Sequence, residues 1–269
     1  MRDIIRASSC TDAWLQGANH LRKQREWRDY NLVLEISQPM SLSSTEKQIA
    51  GEVDKLLRHH DKHSLSTVIN TIFPASLYAK HGGNGLFARY NEVREELRTH
   101  PETKWGTYFM RMTGVTKHKG KRMNLLEHLI HKLRREVKNR GSKRAIYELN
   151  LLDPAMDIPI YDSYNDKNYT MGGPCLSHLS FKLKQDHSLL LTAVYRSHYY
   201  IQRALGNFYG LAMLQNFVAT EAGIKANALI CHSTMAILDH DKINQPTITK
   251  MLDMCSSIQK QTECSVASS

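Results

Sequence analysis

The sequence predicts an α/β fold in a single domain, and three observations carry that prediction. Segments that alternate with period two, such as Leu179/Phe181/Leu183, are interleaved with segments at helical spacing, such as Leu125, Leu126, Leu129, Ile130, Leu133 and Val137. The 269 residues give ample length for a core. No internal repeat or shift in composition marks a boundary, so residues 1–269 read as one unit.

The elements follow in order. Trp14, Leu15, Ala18 and Leu21 trace one face of an amphipathic helix over Thr11–Arg28. Tyr30–Ile36 alternates, is rich in strand-forming residues and stops before Pro39, which predicts a strand. Met40–His63 is polar and is expected to carry a short surface helix. Leu65–Lys80 is apolar and reads as a buried helix kinked or restarted at Pro74. His81–Gly85 reads as a glycine-rich loop, without the lysine-serine pair or preceding strand of a phosphate-binding loop.

A charged helix is expected over Phe87–Thr99, and the basic run Lys117–Arg122 reads as a solvated loop. The helix through Leu125–Val137 leads to a strand over Ala145–Leu149. Asp153–Met171 is a polar, turn-rich connection. Two strands follow, one through Leu179–Leu183 and one over Leu189–Val194. The longest apolar helix runs from Tyr199 to a glycine cap at Gly223. Ala228–Cys231 predicts a short strand and Thr247–Lys260 a final helix, with the last eight or so residues frayed.

Composition narrows the function classes. No stretch approaches eighteen uninterrupted apolar residues, which argues against a membrane span, and Met1–Cys10 lacks the apolar core of a secretory signal. Five scattered cysteines without a CxxC pair argue against a disulfide framework and a zinc site, and for a reducing, cytoplasmic compartment. The histidine groups His59-His60-His63 and His128-His131 lie on solvated helices and read as surface residues, so no metal is expected. His198 and His232 lie at strand ends. Either could titrate near neutral pH as an acid or base, although a lone histidine is more often structural. The net charge of +10 suggests an anionic partner.

One constellation stands out. Gly172-Gly173-Pro174-Cys175 places a thiol at the start of one strand, and Tyr195-Arg196-Ser197 closes the next. Cys175 and Arg196 are therefore expected to be neighbours on a sheet, a nucleophile beside an anion-holding group. The same residues also fit a buried strand-edge cysteine and an ordinary surface arginine.

Lys143-Arg144, Pro174-Cys175, Arg196-Ser197 and Gly206-Asn207 occur in an order and at intervals that resemble the thymidylate synthase / pyrimidine nucleotide hydroxymethylase superfamily, over about residues 11–260. Arg25-Glu26 through Tyr30-Asn31-Leu32-Val33 to Pro39 resembles the hydroxymethylase branch, and Trp105-Gly106 takes the place of the family's Tyr-Gly turn.

The resemblance implies a mixed sheet packed with helices and a homodimer formed through that sheet. It implies a methyl- or hydroxymethyltransferase acting at C5 of a pyrimidine nucleotide monophosphate, with methylene-tetrahydrofolate as the one-carbon donor. Cys175 would be the nucleophile, with Arg196 lowering its pKa and holding phosphate. Ser197 would add a phosphate hydrogen bond. Lys143 and Arg144 would reach the phosphate of the partner subunit. Trp105 would line the substrate site, and Asn207 would bond the base edge, its amide suiting uracil over cytosine.

The chain departs from the family at several points. Asn70 stands where the family carries its catalytic glutamate, and an amide cannot exchange protons, a role typically worth ~10²–10⁴-fold. Leu176 and Tyr199 replace a frequent histidine and an aspartate. The His-x-Tyr pair that holds the sugar falls at Met235–Ile237 or Ile237–Asp239 and is missing in both registers, and the family's C-terminal strands and tail have no counterpart. A second reading is therefore a divergent, non-catalytic nucleotide-binding or interaction protein on the same fold. A third is a thiol enzyme acting on another nucleotide-like or nucleic-acid substrate.

Overall fold

A computed structural model describes residues 4–99, 106–118, 121–141, 143–152 and 174–267. Its centre is a mixed seven-stranded sheet. The strands are β1 (Ile5–Ala7), β2 (Arg28–Ile36), β5 (Tyr147–Asn150), β6 (Leu176–Leu183), β7 (Ser188–Tyr195), β8 (His198–Tyr199) and β9 (Lys225–Ile237), in the order β1-β2-β9-β7-β6-β5 with β8 paired beside β9. The β1–β2, β7–β9 and β8–β9 pairs are parallel, and the others are antiparallel.

Register explains why one face is core. Leu34, Cys231, Ala193, Leu179 and Leu149 lie in one row across five strands, and all are buried. One residue along, the row Val33, His232, Val194, His178 and Asn150 points to the other face, where every residue is half-buried or exposed. The period-two pattern thus separates a packed face from an open one.

Helices α1 (Cys10–Arg22), α3 (Leu65–Ile72), α6 (Leu125–Lys138) and α7 (Leu205–Ala222) build the packed layer around α7. Buried residues occur all round α7, which marks it as the central helix. It meets α3 at Gly206 and Gly210, where an added Cβ would sit 2.7 Å from Val68 Cβ and 3.0 Å from Ile72 Cβ.

Several elements differ from the sequence expectation. The first helix stops at Arg22, and a 3-10 turn at Arg25–Trp27 feeds directly into β2. The polar Met40–His63 stretch forms α2 (Ser44–His59), four turns long, because Ile49, Val53 and Leu57 share a buried stripe and Ser43 with Glu46 makes a capping box. His81–Gly85 is not a loop: α4 (Ala75–Thr99) runs through it, and the single residue Gly82, at φ 63°, absorbs the kink.

The basic run forms a ribbon of β3 (Val115–His118) and β4 (Lys121–Asn124), with Lys117 opposite Arg122. The expected strand over Ala228–Cys231 extends to the thirteen residues of β9. Its polar side chains hid it: His232 and Thr234 sit on the open face, and Ser233 is hydrogen-bonded inside. The last helix, α8, spans Gln245–Ala267. The predicted connection over Asp153–Met171 lies outside the described residues, as do Gly172, Gly173 and Trp105.

Candidate functional site

The thiol and the arginine do meet. Cys175 stands at the mouth of β6, and its carbonyl accepts the backbone N–H of Arg196 at 2.9 Å. The Arg196 side chain turns back over the same point, with Nε donating to the Pro174 carbonyl at 3.0 Å. Thr234 pins the end of β7 by donating its hydroxyl to the carbonyls of Tyr195 (3.2 Å) and Arg196 (2.9 Å). The β6–β7 ladder slips between Leu176 and His178, the kind of irregularity that re-aims a side chain at a strand end.

Two groups that sequence reasoning did not single out complete the cluster. Helix α5 (Tyr108–Met112) is capped by Thr107, and its first residue, Tyr108, accepts the N–H of Leu176 on its phenol oxygen at 3.4 Å. Burial and the adjoining Cys175 push the Tyr108 phenol up to about 12, against the pull of Leu176 N–H and Arg203, so it stays protonated at neutral pH. Arg203 sits on a π-helical turn, Tyr200–Ala204, between β8 and α7. It acts electrostatically on both Cys175 and Tyr108. The legible signal for Arg203 was its being the sole cation between Tyr199 and Gly223.

The net effect on the thiol opposes the simple expectation. Burial of Cys175 raises its pKa, and the charges of Arg196 and Arg203 offset that only in part. A bound anion or a shift in the site's solvation would therefore change the thiolate fraction directly.

Asn207 lies in the first turn of α7 and is only 3% exposed. Its Nδ2 donates to His198 Nε2 at 3.1 Å, and His198 Nδ1 faces Ser233 Oγ at 3.0 Å. With Nε2 accepting, the proton sits on Nδ1 and points to the serine. The His198 ring stacks on Tyr195 at 3.9 Å between centroids. Burial depresses His198 to about 3, so it is a neutral, structural histidine and not an acid or base at neutral pH. His232 lies on the open face, its Nε2 3.1 Å from Asn31 Oδ1.

Of the remaining expected residues, Lys143 and Arg144 lie away from Cys175, whereas Ser197 adjoins Arg196. Asn70 is on the exposed side of α3. Lys143 and Arg144 precede β5, where the Arg144 carbonyl accepts the N–H of Leu183, at the far end of β6 from Cys175. The eight residues of β6 span ~26 Å. Ser197 follows Arg196 and is half-buried.

Among the described residues no helix is long and apolar enough to cross a membrane, and no group of three metal-ligating side chains converges. A cavity of about 480 Å³ between α6 and β5, lined by Met123, Leu129, Lys132 and Tyr147, contains no cysteine. Strand ends, not that cavity, hold the reactive groups.

No family model matches the chain, and no curated protein matches it. Among solved structures, it is similar to thermostable thymidylate synthase A from Bacillus subtilis at 13% identity and TM-score 0.49, over 85% of this chain and 79% of that one. It is also similar to thymidylate synthase from T4 phage at 11% identity and TM-score 0.48, over 84% and 77% of the two chains. At these scores the likeness carries no weight in assigning chemistry. The structure is a mixed α/β fold with the Cys175 thiol, the Arg196 guanidinium and the Tyr108 phenol gathered at one strand mouth.

Proposed function

We propose that the chain is a thymidylate synthase-type transferase that modifies C5 of a pyrimidine nucleotide monophosphate, of the uridine type. The observation that carries this reading is Cys175 held against Arg196 by a backbone hydrogen bond, with the Arg196 guanidinium folded over the same strand mouth.

The chemistry assigned to this chain's residues is as follows. The Cys175 thiolate adds to C6, the C5–C6 electron pair moves to C5, and C5 becomes a carbon nucleophile. After C5 has taken a one-carbon unit and lost its proton, expulsion of the thiolate restores the double bond. Arg196 and Ser197 hold the phosphate, Arg196 through its bidentate fork. Asn207, with its amide nitrogen committed to His198, has its carbonyl oxygen for the N3–H of a uracil ring. Trp105 lines the base. Tyr108 remains protonated and can donate to the developing enolate oxygen. Asn70 orients water near that oxygen.

Methylene-tetrahydrofolate would supply the one-carbon unit. Tyr108 and Tyr199, both half-buried and within electrostatic reach of Cys175, offer aromatic walls suited to its flat ring. Arg203 offers a cation for its carboxylates.

A homodimer through the open sheet face would bring Lys143 and Arg144 of one protomer to the other's phosphate. Their separation from Cys175 within a protomer supports such a shared site, since Lys143 and Arg144 could not serve it in cis.

A second reading has its own support. The raised pKa of Cys175 and the exposed position of Asn70 suit a protein that binds the nucleotide without turning it over. Thermal shift separates the parts. Uridine or deoxyuridine monophosphate should raise Tm, and Arg196→Ala should abolish the rise. No rise in the wild-type protein would overturn both readings. A rise without exchange at C5 would leave the binding reading alone.

A further inference from the structure

The positive charge of the chain is concentrated in one stretch. Residues 115–144 hold eleven lysines and arginines against two glutamates, and so carry +9 of the net +10. The fold makes this stretch continuous. The ribbon of β3 and β4 sets Lys117 against Arg122 and His118 against Lys121, and β4 runs directly into α6 through its cap, Asn124. Along α6 the residues Leu126, Leu129, Ile130 and Leu133 are buried, whereas His131, Arg134, Arg135 and Lys138 are exposed. Arg140 is exposed just beyond the helix end.

Most of these cations are left uncompensated. Elsewhere Arg22, Lys55, Arg58 and Arg89 each meet a carboxylate within 2.7 Å. On α6, Arg134 reaches Glu221 at 3.4 Å and donates to its carbonyl. Lys132, Arg135, Lys138 and Arg140 make no ion pair among the described residues, and the Glu136 carboxylate between them accepts the backbone N–H of Lys143 at 2.6 Å. Like charges three or four residues apart on a helix are destabilising, and an anion from outside would relieve them.

The cavity of about 480 Å³ between α6 and β5 adjoins these cations, with Lys132 in its lining. Its walls include Leu125, Leu129, Ile146 and Leu149, and Ile146 is 49% exposed. The one carboxylate in the lining, Glu148, is engaged by His178, Ser180 and Lys182.

We propose that this face binds single-stranded nucleic acid, with successive phosphates on Lys132, Arg135, Lys138 and Arg140 and an unstacked base in the apolar cavity. From Lys132 to Arg140 the cations extend over ~12 Å, which suits a chain of phosphates better than a single anion. A lipid surface fits worse, because the exposed side of α6 offers no apolar side chain to insert. A duplex fits worse, because its bases are stacked away from such a cavity. Helix α6 packs on α7 in the helical layer, so this face stays open in a homodimer formed through the open sheet face. The inference is independent of any role for Cys175.

The test is fluorescence anisotropy of the full chain with labelled DNA and RNA strands of about twenty nucleotides, single or annealed, between about 50 and 200 mM salt. Single strands should bind more tightly than duplexes. In the triple variant Arg135→Gln/Lys138→Gln/Arg140→Gln, the slope of log K against log salt should become shallower by about 2, at ~0.7 for each lost contact. Melting temperature and C5 exchange should match wild type, since Lys143 and Arg144 are untouched. Arg135→Lys/Arg140→Lys, which keeps the charge, should keep the slope. Ile146→Asn should weaken single-strand binding without changing the slope.

Wild-type affinity and slope in the triple variant would overturn the proposal. So would duplex bound as tightly as single strand, or an unaltered affinity in Ile146→Asn. Displacement of the strand by an equal charge of polyglutamate would also overturn it and make the face a dock for an acidic protein. Loss of C5 exchange in wild type would sink the transferase reading and leave this surface standing.

Discussion

The backbone N–H of Arg196 donates to the carbonyl of Cys175 at 2.9 Å, which ties the end of β7 to the mouth of β6. This bond fixes the thiol and the guanidinium relative to each other without using either side chain. The bond also makes the pair sensitive to anything that moves β7, including the hydroxyl of Thr234. Thr234→Val removes donors to the Tyr195 and Arg196 carbonyls. It should weaken nucleotide binding several-fold while changing stability by only ~1 kcal/mol, measured by titration calorimetry and urea unfolding.

His198 makes stability depend on acid. Its folded value of about 3 lies below its ordinary 6.5, so the fold favours the neutral ring. That stabilisation is complete above about pH 6.5 and is lost progressively as pH falls toward 3. Between pH 7 and 5 the loss should be about 2 kcal/mol by urea unfolding. His198→Gln, which does not titrate, should be less stable at pH 7 but flatter in its pH dependence. An unchanged slope would contradict the buried neutral assignment.

The α3–α7 crossing should tolerate no methyl group at Gly206. A Cβ there meets Val68 Cβ at 2.7 Å, and Gly206→Ala should cost ~1–3 kcal/mol by overpacking. Gly51 lies inside α2 with nothing within 4 Å of an added Cβ. Gly51→Ala should therefore stabilise by up to ~1 kcal/mol, and the opposite signs check the packing directly.

Asp239 accepts the N–H of Ile201, the second residue of the π turn. Asp239→Ala leaves the N–H of Ile201 buried without an acceptor and should cost ~1–3 kcal/mol, whereas Asp239→Asn retains a carbonyl oxygen and should cost less. Equal stability of the two variants would contradict the role given to Oδ1.

A shared site predicts complementation between inactive subunits. Cys175→Ala and Arg144→Ala proteins, each inactive alone, should recover about a quarter of wild-type C5 exchange when mixed and allowed to exchange subunits. Val194→Arg, in the middle of the open face, should yield a monomer by sedimentation with unchanged circular dichroism. No recovery on mixing would contradict completion of the site by a second chain.

Much of the fold was legible because alternation is a local signal. Leu179, Phe181 and Leu183 all point into the core as their spacing predicts, and Gly223 caps α7 at φ 75°. The proximity of Cys175 and Arg196 was legible for the same reason, since both lie at the ends of adjacent strands. Tertiary context decided the rest. Gly82 bends a helix where a glycine cluster reads as a loop, and Ser233 fits a strand interior only because His198 meets it there. Tyr108 reaches the mouth of β6 from α5, an element far away in sequence, and no periodicity encodes such a meeting. Asn207 was legible as a site residue, but not its commitment to His198, which depends on β8 lying against β9.

Hydrogen exchange at C5 is the most direct test of the central claim, because it isolates thiolate addition at C6 from the one-carbon step. The protein would be incubated with uridine or deoxyuridine monophosphate tritiated at C5, without a folate, and release of tritium to water followed. The account predicts release by the wild-type protein and none by Cys175→Ala. No release by wild type, or equal release by the two proteins, would contradict it.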